Sequence, residues 1–165
     1  MESQETPPPV LFGAFDRHNF GDLLFPHLLA AQLAGGRFEH AGLAARDLRR
    51  FGGHRVTPLG AKRRGHLIHV GGELLGCRAY EAAVMLLDPA AAAQAIARYD
   101  ADPDAAAAWA ARQLGTPRAL PYVVGREAVA APGRLIFNAV GGVAWATLPA
   151  AARAAARAAL AGADW

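Results

Sequence analysis

Cysteine is nearly absent from the chain. Cys77 is the single cysteine among 165 residues, so no internal disulfide can form, and this scarcity favours a reducing compartment. Long apolar runs are missing as well: no stretch of about eighteen uncharged apolar residues occurs, which predicts no transmembrane helix. The first residues contain no basic segment followed by an apolar stretch, which predicts no signal peptide. We therefore expect a cytoplasmic protein, with at most peripheral contact at the inner face of the membrane.

Charge is also scarce, and its two signs nearly balance. The 17 basic and 14 acidic residues leave a net charge of +3, which is too mild to indicate a nucleic-acid partner. The patterns GxGxxG and GxxxxGK[ST] are missing, which weakens any dinucleotide- or triphosphate-binding function. His66 and His69 lie three apart on a predicted strand, so their side chains point to opposite faces. With no ligand cluster at suitable spacing, we expect no metal site and no nucleic-acid partner.

Apolar residues are plentiful, at 53% of the chain, which is enough for a packed core. Residues 1–9 are polar and end in three prolines, so we expect a disordered leader there. Residues 10–165 then form one domain. The alternation of elements would call for another strand beyond residue 165, which suggests that this domain is the N-terminal half of a longer two-domain protein.

Predicted strands alternate with predicted helices, and glycines stand at the strand ends. This order predicts an α/β fold, a three-layer Rossmann-like domain with a mostly parallel sheet. Segment 120–124 is either a short strand or an extended loop. The predicted strands cover residues 10–14, 37–41, 66–70 and 134–140, and the predicted helices cover 22–34, 43–51, 73–87, 89–99, 105–114 and 149–161.

The loop between the first strand and the first helix is the best candidate for a binding site. Gly21 would let the backbone approach a ligand, and the following helix N-terminus favours an anion. His18 and Asn19 carry groups that can hydrogen-bond sugar hydroxyls or a carboxylate, and Asp22 could hold a hydroxyl. The structural alternative is an Asp helix cap with a glycine turn and no ligand.

Two further loops follow predicted strands and are candidate sites of the same kind. Gly71 and Gly72 form a tight turn before Glu73, and they either admit ligand oxygens or serve only the geometry of the turn. The last strand ends with a second pair of glycines. The loop residues proposed for this third segment are Asn138, Gly141 and Gly142.

Three segments of the chain resemble the polysaccharide pyruvyl transferase family. Residues 19–22 read Asn-Phe-Gly-Asp, like the Asn-x-Gly-Asp loop that follows the family's first strand. Residues 66–75 resemble its apolar strand and glycine turn, although Glu73 stands where the family has a third glycine. Residues 134–165 resemble its later strand, glycine loop and helix.

The resemblance implies the N-terminal half of a GT-B fold. It implies transfer of a pyruvyl group from phosphoenolpyruvate to two hydroxyls of a sugar in a cell-surface polysaccharide, giving a ketal. This half would supply the acceptor side, so its partners would be a sugar or glycan, free or linked to a lipid or nucleotide, phosphoenolpyruvate and a C-terminal domain. Phosphoenolpyruvate would be a co-substrate and no other cofactor is expected. The catalytic residues would lie largely in the other half and stay unknown in this chain.

Three alternatives remain open at the level of the sequence. One is a non-catalytic module that binds a glycan or an anion. A second is one half of a nucleotide-sugar glycosyltransferase. A third is an interaction domain that docks another subunit through an open sheet edge.

Overall fold

The computed structural model describes residues 7–60 and 65–164, which form an α/β domain with a six-stranded sheet and five α-helices. Residues 1–6 of the predicted leader lie outside the described residues. The strands are β1 (Val10–Phe12), β2 (Glu39–Gly42), β3 (Arg46–Asp47), β4 (Arg55–Pro58), β5 (Leu67–Val70) and β6 (Leu135–Asn138). The helices are α1 (Phe20–Gln32), α2 (Ala79–Met85), α3 (Pro89–Tyr99), α4 (Pro103–Leu114) and α5 (Ala150–Ala161).

The strands are ordered β3-β4-β2-β1-β5-β6, and every neighbouring pair is parallel except β3 with β4. The prediction of an α/β fold with a mostly parallel sheet is confirmed, and the architecture is consistent with a Rossmann-like domain. From β1 the chain passes to β2 on one side and later to β5 on the other. The boundary between β1 and β5 is therefore the topological switch point, where open α/β sheets bind ligands beyond the carboxyl ends of the strands.

Side chains of the central strands alternate between two apolar layers. Leu11 and Ile68 belong to the layer covered by α1, together with Leu23 of that helix. Val10 and Leu67 face the opposite layer, where Ala82 of α2 completes the core. Burial of both sheet faces explains why the central strands are short unbroken apolar runs rather than alternating ones.

The predicted helix over 43–51 is wrong. This segment instead contains β3 and a single 3₁₀ turn at Arg49–Phe51, and β4 follows it as an unpredicted strand. Leu48 is the one buried side chain between residues 43 and 51, so a helix there would have no apolar face to pack. The segment forms a hairpin, in which Arg46 pairs with Val56.

The predicted helix over 73–87 begins six residues later than expected. Gly71 and Gly72 both adopt positive φ, at 60° and 73°, and the chain stays irregular until α2 begins. At the start of α2, the Arg78 backbone N–H donates to Glu81 Oε2 at 2.9 Å, which fixes the first turn. Segment 120–124 is a buried irregular loop, so the loop alternative is correct there.

Candidate functional site

The loops that follow β5 and β6 are joined by backbone hydrogen bonds at the carboxyl ends of the strands. Gly71 N–H donates to Asn138 O at 2.9 Å, and Gly141 N–H donates to Gly72 O at 2.6 Å. Leu75 N–H returns a bond to Gly141 O at 2.9 Å. Two of the loops predicted from the sequence therefore form one continuous surface.

Helix α1 packs against the same turn. A Cβ added at Gly72 would lie 2.8 Å from Asp22 Oδ1, and one at Gly71 would lie 2.1 Å from the Phe25 ring. Both positions therefore require glycine for two reasons: the backbone has a positive φ, and α1 leaves no room for a Cβ. The loops 13–19, 71–78 and 139–142, with the first turn of α1, make up what we call the switch-point crevice.

A buried ion pair lies in this crevice. Arg17 Nε donates to Asp22 Oδ2 at 2.9 Å, and the two side chains are 8% and 10% exposed. Burial alone would lower the pKa of Arg17, but the charge and hydrogen bond of Asp22, together with smaller contributions from Cys77 and Tyr122, outweigh it and raise that pKa above its ordinary value. The guanidinium also lies 5.9 Å from the centre of the Tyr122 ring and contacts Cys77 Sγ and Met85 Sδ through Nη1. Arg17 was not predicted from the sequence.

Asp16, beside Arg17, is fully buried and ties three segments together. Its Oδ2 accepts from the backbone N–H groups of Leu43 and Ala44, and its Oδ1 accepts from the Tyr122 hydroxyl at 2.6 Å. Burial raises the pKa of the Asp16 carboxyl, against the opposing effect of these hydrogen bonds. Gly42 must lack a side chain because a Cβ there would meet the same carboxylate. Asp16 thus holds the loop after β1 to the segments that contain Leu43 and Tyr122.

Glu73 connects the loop after β5 with the loop after β6. Its Oε2 accepts from Val143 N–H at 2.8 Å, and its Oε1 accepts from Ala144 N–H at 3.4 Å. These donors begin the 3₁₀ turn at Val143–Thr147, so the carboxylate satisfies its free N–H groups. Gly141 is in contact with the same side chain.

The remaining predicted residues differ in how freely they can meet a ligand. Asn19 caps α1 by accepting from Gly21 N–H at 3.0 Å, so its side chain is already engaged. His18 is exposed, and its ring lies 4.1 Å from that of Phe51. The half-buried side chain of Asn138 makes no hydrogen bond to any described residue. Asn138 and His18 are therefore the predicted polar side chains best able to bind.

Large apolar side chains stand beside the crevice. Phe20 opens α1 and is 80% exposed, Val143 follows the glycine loop and is 93% exposed, and Met85 ends α2 and is 54% exposed. Such exposure of large apolar groups next to a groove is typical of a binding surface. None of the three was predicted as a site residue, because only the folded structure shows that these apolar side chains are exposed.

Cys77 is a packing residue rather than a nucleophile. The side chain is buried, and this burial raises the pKa of its thiol to about 11, although the Arg17 charge opposes the rise. Within residues 7–60 and 65–164, no group of three or more His, Cys, Asp or Glu side chains could hold a metal ion. Among the same residues, no helix combines the length and apolar character needed to cross a membrane.

Comparisons with protein-family models, with curated proteins and with solved structures found no match. The chemistry of the crevice must therefore be judged from its own geometry. It offers a buried guanidinium, an unengaged carboxamide, an exposed imidazole and an apolar rim. This set suits the binding of a polar ligand with one apolar face.

Proposed function

We propose that this chain is the acceptor-side, N-terminal domain of a polysaccharide pyruvyl transferase-like enzyme with a GT-B arrangement. One observation carries the proposal. Of the segments that resemble the family, residues 13–22 directly follow β1, and residues 66–75 and 134–165 include the ends of β5 and β6. These three strands are parallel neighbours in the sheet, and the switch point lies between the first two. Segments far apart in the chain thus contribute to a single crevice.

In this proposal the acceptor sugar lies over the paired glycine turns. The Asn138 carboxamide and the His18 ring are the side chains placed to hydrogen-bond its hydroxyls, and Phe20 offers an apolar surface to a face of the sugar ring. Asn19 and Glu73 position the loops through the bonds they already make.

The reaction itself requires groups that the C-terminal half would supply. A general acid must protonate the methylene carbon of the enol, and cations must neutralise the phosphate and carboxylate of phosphoenolpyruvate. The two acceptor hydroxyls then add to the former enol carbon, phosphate leaves, and a pyruvyl ketal results. Glycan binding is the part of the activity assigned to this domain.

Saturation-transfer NMR with hexoses and hexosamines tests acceptor binding directly on the 165-residue chain. Asn138→Ala and His18→Ala should each reduce the transfer signal. Gln32→Ala is the matched control, because this exposed amide lies at the far end of α1. Equal sugar binding by the two crevice variants and the wild-type chain would contradict the proposal.

A transfer assay separates the proposal from its alternatives. With a C-terminal partner and phosphoenolpyruvate supplied, phosphate release and ketal formation on the glycan are expected. Sugar binding without any transfer under these conditions would favour a non-catalytic glycan-binding module. Tight binding of a UDP- or GDP-sugar with no response to phosphoenolpyruvate would favour half of a nucleotide-sugar glycosyltransferase.

A further inference from the structure

We propose that Arg17 is an oxyanion-binding group of the switch-point crevice and that the Met85 thioether covers the edge of the guanidinium that the oxyanion binds. This inference rests on the proposed function and adds the charge class of the ligand. The ligand carries a phosphate or a carboxylate in addition to its sugar hydroxyls.

The hydrogen bonding of Arg17 is incomplete for a buried guanidinium. The group has five N–H donors, and its Nε donates to the Asp22 carboxylate. Nη1 faces Cys77 Sγ at 4.0 Å and Met85 Sδ, and both sulfur atoms are weak acceptors. Nη2 makes no hydrogen bond within the part of the chain that the structure describes. The edge formed by Nη1 and Nη2 therefore has no oxygen partner among the described residues, and Nη2 keeps some contact with solvent, since it is not one of the fully buried polar atoms that lack a hydrogen bond.

The group over this edge is a displaceable one. Met85 ends α2, is 54% exposed and has an unbranched side chain with several rotatable bonds. Its thioether can move into solvent without disturbing the core. Asp22, in contrast, is buried and holds the Nε side of Arg17, so the guanidinium stays in place when Met85 moves.

The shape and charge of this edge favour an oxyanion. Two parallel N–H groups match two oxygens of a phosphate or carboxylate, and such bidentate bonds are the strong form of arginine recognition. The first turn of α1, which holds Asp22, adds the positive end of the helix dipole. Asp22 already balances the single charge of Arg17, so the attraction rests on the hydrogen bonds of this edge and on the helix dipole, and its dependence on salt should be weak.

The experiment titrates the chain with inorganic phosphate, pyruvate, phosphoenolpyruvate and a neutral hexose, and follows the ¹⁵N signals of the arginine side chains. Phosphate or pyruvate should shift the Arg17 signals, and whichever binds more tightly identifies the anionic group. Arg17→Gln should weaken this binding by about tenfold or more, the factor that one charge-assisted hydrogen bond represents. Arg157→Gln, at an exposed position of α5, is the matched control and should bind as the wild-type chain does.

Met85 variants keep the inference testable if Arg17→Gln does not fold. Met85→Ala uncovers the guanidinium edge and should tighten oxyanion binding severalfold, whereas Met85→Leu keeps the cover and should bind like the wild-type chain. Unchanged affinity for every anion in Met85→Ala, or in a folded Arg17→Gln, would overturn the inference. Hexose binding that responds to Asn138→Ala, together with anion binding that responds to neither Arg17→Gln nor Met85→Ala, would leave the proposed acceptor site standing while the oxyanion site fails.

Discussion

Lowering the pH from 7 to 5 should destabilise the protein through three histidines held in low-pKa environments. Burial lowers the pKa of His69 to about 3, and its ring stacks on Phe137 at 4.0 Å. Burial also lowers the pKa of His40 and of His54 to about 4, and a neighbouring imidazole adds to each shift. The rings of His40 and His54 are stacked 3.7 Å apart, and His27 lies 4.3 Å from His54.

The direction follows from the proton counts of the two states. In the unfolded chain a histidine has a pKa of about 6.5, so that state binds more protons as the pH falls from 6.5 towards 4. The stability that these neutral histidines contribute is therefore fully present above about pH 6.5, and it is lost as the pH falls from about 6.5 towards 4. For a full shift, one histidine costs about 2 kcal/mol between pH 7 and pH 5.

Only His69 is buried deeply enough for that full value. His40 and His54 are partly exposed, and each of their pKa shifts depends in part on repulsion from a neighbouring imidazole. Solvent screening therefore reduces the contribution of each histidine to the loss of stability to about 1 kcal/mol. The three together should remove about 4 kcal/mol, which is large beside a typical stability of about 5–15 kcal/mol.

Urea unfolding followed by tryptophan fluorescence at pH 7, 6 and 5 measures this loss. The double variant His40→Phe, His54→Phe keeps stacked rings but cannot titrate, and His54 Nε2 makes no hydrogen bond to any described residue that the change would break. The variant should lose about 2 kcal/mol instead of about 4, since only His69 still titrates. Gln32→Ala, which changes an exposed side chain that does not titrate, is the control and should keep the wild-type dependence. A wild-type stability that is flat between pH 7 and pH 5, or an equal loss in the double variant, would refute the reasoning.

Three further predictions concern the packing around the crevice. Tyr122→Phe removes the hydroxyl that donates to Asp16 Oδ1 and should cost about 1–3 kcal/mol in urea unfolding; a change within error would mean that this hydrogen bond adds no stability. Gly71→Ala forces a Cβ into the Phe25 ring at positive φ and should cost about 3 kcal/mol or more in thermal unfolding, and a neutral effect would contradict the packing described. Cys77 should resist a thiol reagent at pH 8 until urea is added, because its raised pKa keeps it protonated; rapid labelling of the native chain would argue against its burial.

The edge of the sheet that carries the crevice could be predicted because its signals are local. An apolar run that ends in Gly71 and Gly72 indicates a strand end and a turn, and the turn needs positive φ whatever the rest of the chain does. The predicted start of α1 at Asp22 is two residues late, because Asn19 caps the helix through bonds from its close neighbours Gly21 and Asp22. Parallel strands bring such ends to one edge, so the three loops could be placed together before any coordinates.

The groups that fill the crevice could not be predicted, because they depend on distant partners. Tyr122 reaches Asp16 across 106 residues, and no local pattern connects the two. Arg17 stands in a polar loop where an exposed cation is the ordinary expectation, and only packing beneath Met85 shows that it is buried. The hairpin of β3 and β4 was missed for a different reason: its partners are close in the sequence, but β3 is only two exposed residues long and has no alternating apolar pattern.

Glu73 determines which backbone N–H groups at the end of β6 stay open to a ligand. A glycine at this position would leave the N–H groups of Val143 and Ala144 open to a ligand oxygen. In this chain the Glu73 carboxylate accepts hydrogen bonds from both N–H groups. It therefore occupies the backbone donors at the end of β6 that could otherwise bind an anion. Arg17, on the α1 side, is paired with Asp22, and Asp22 in turn lies where a Cβ of Gly72 would point. The proposed oxyanion contact is therefore expected at the loop after β1 rather than at the β6 loop.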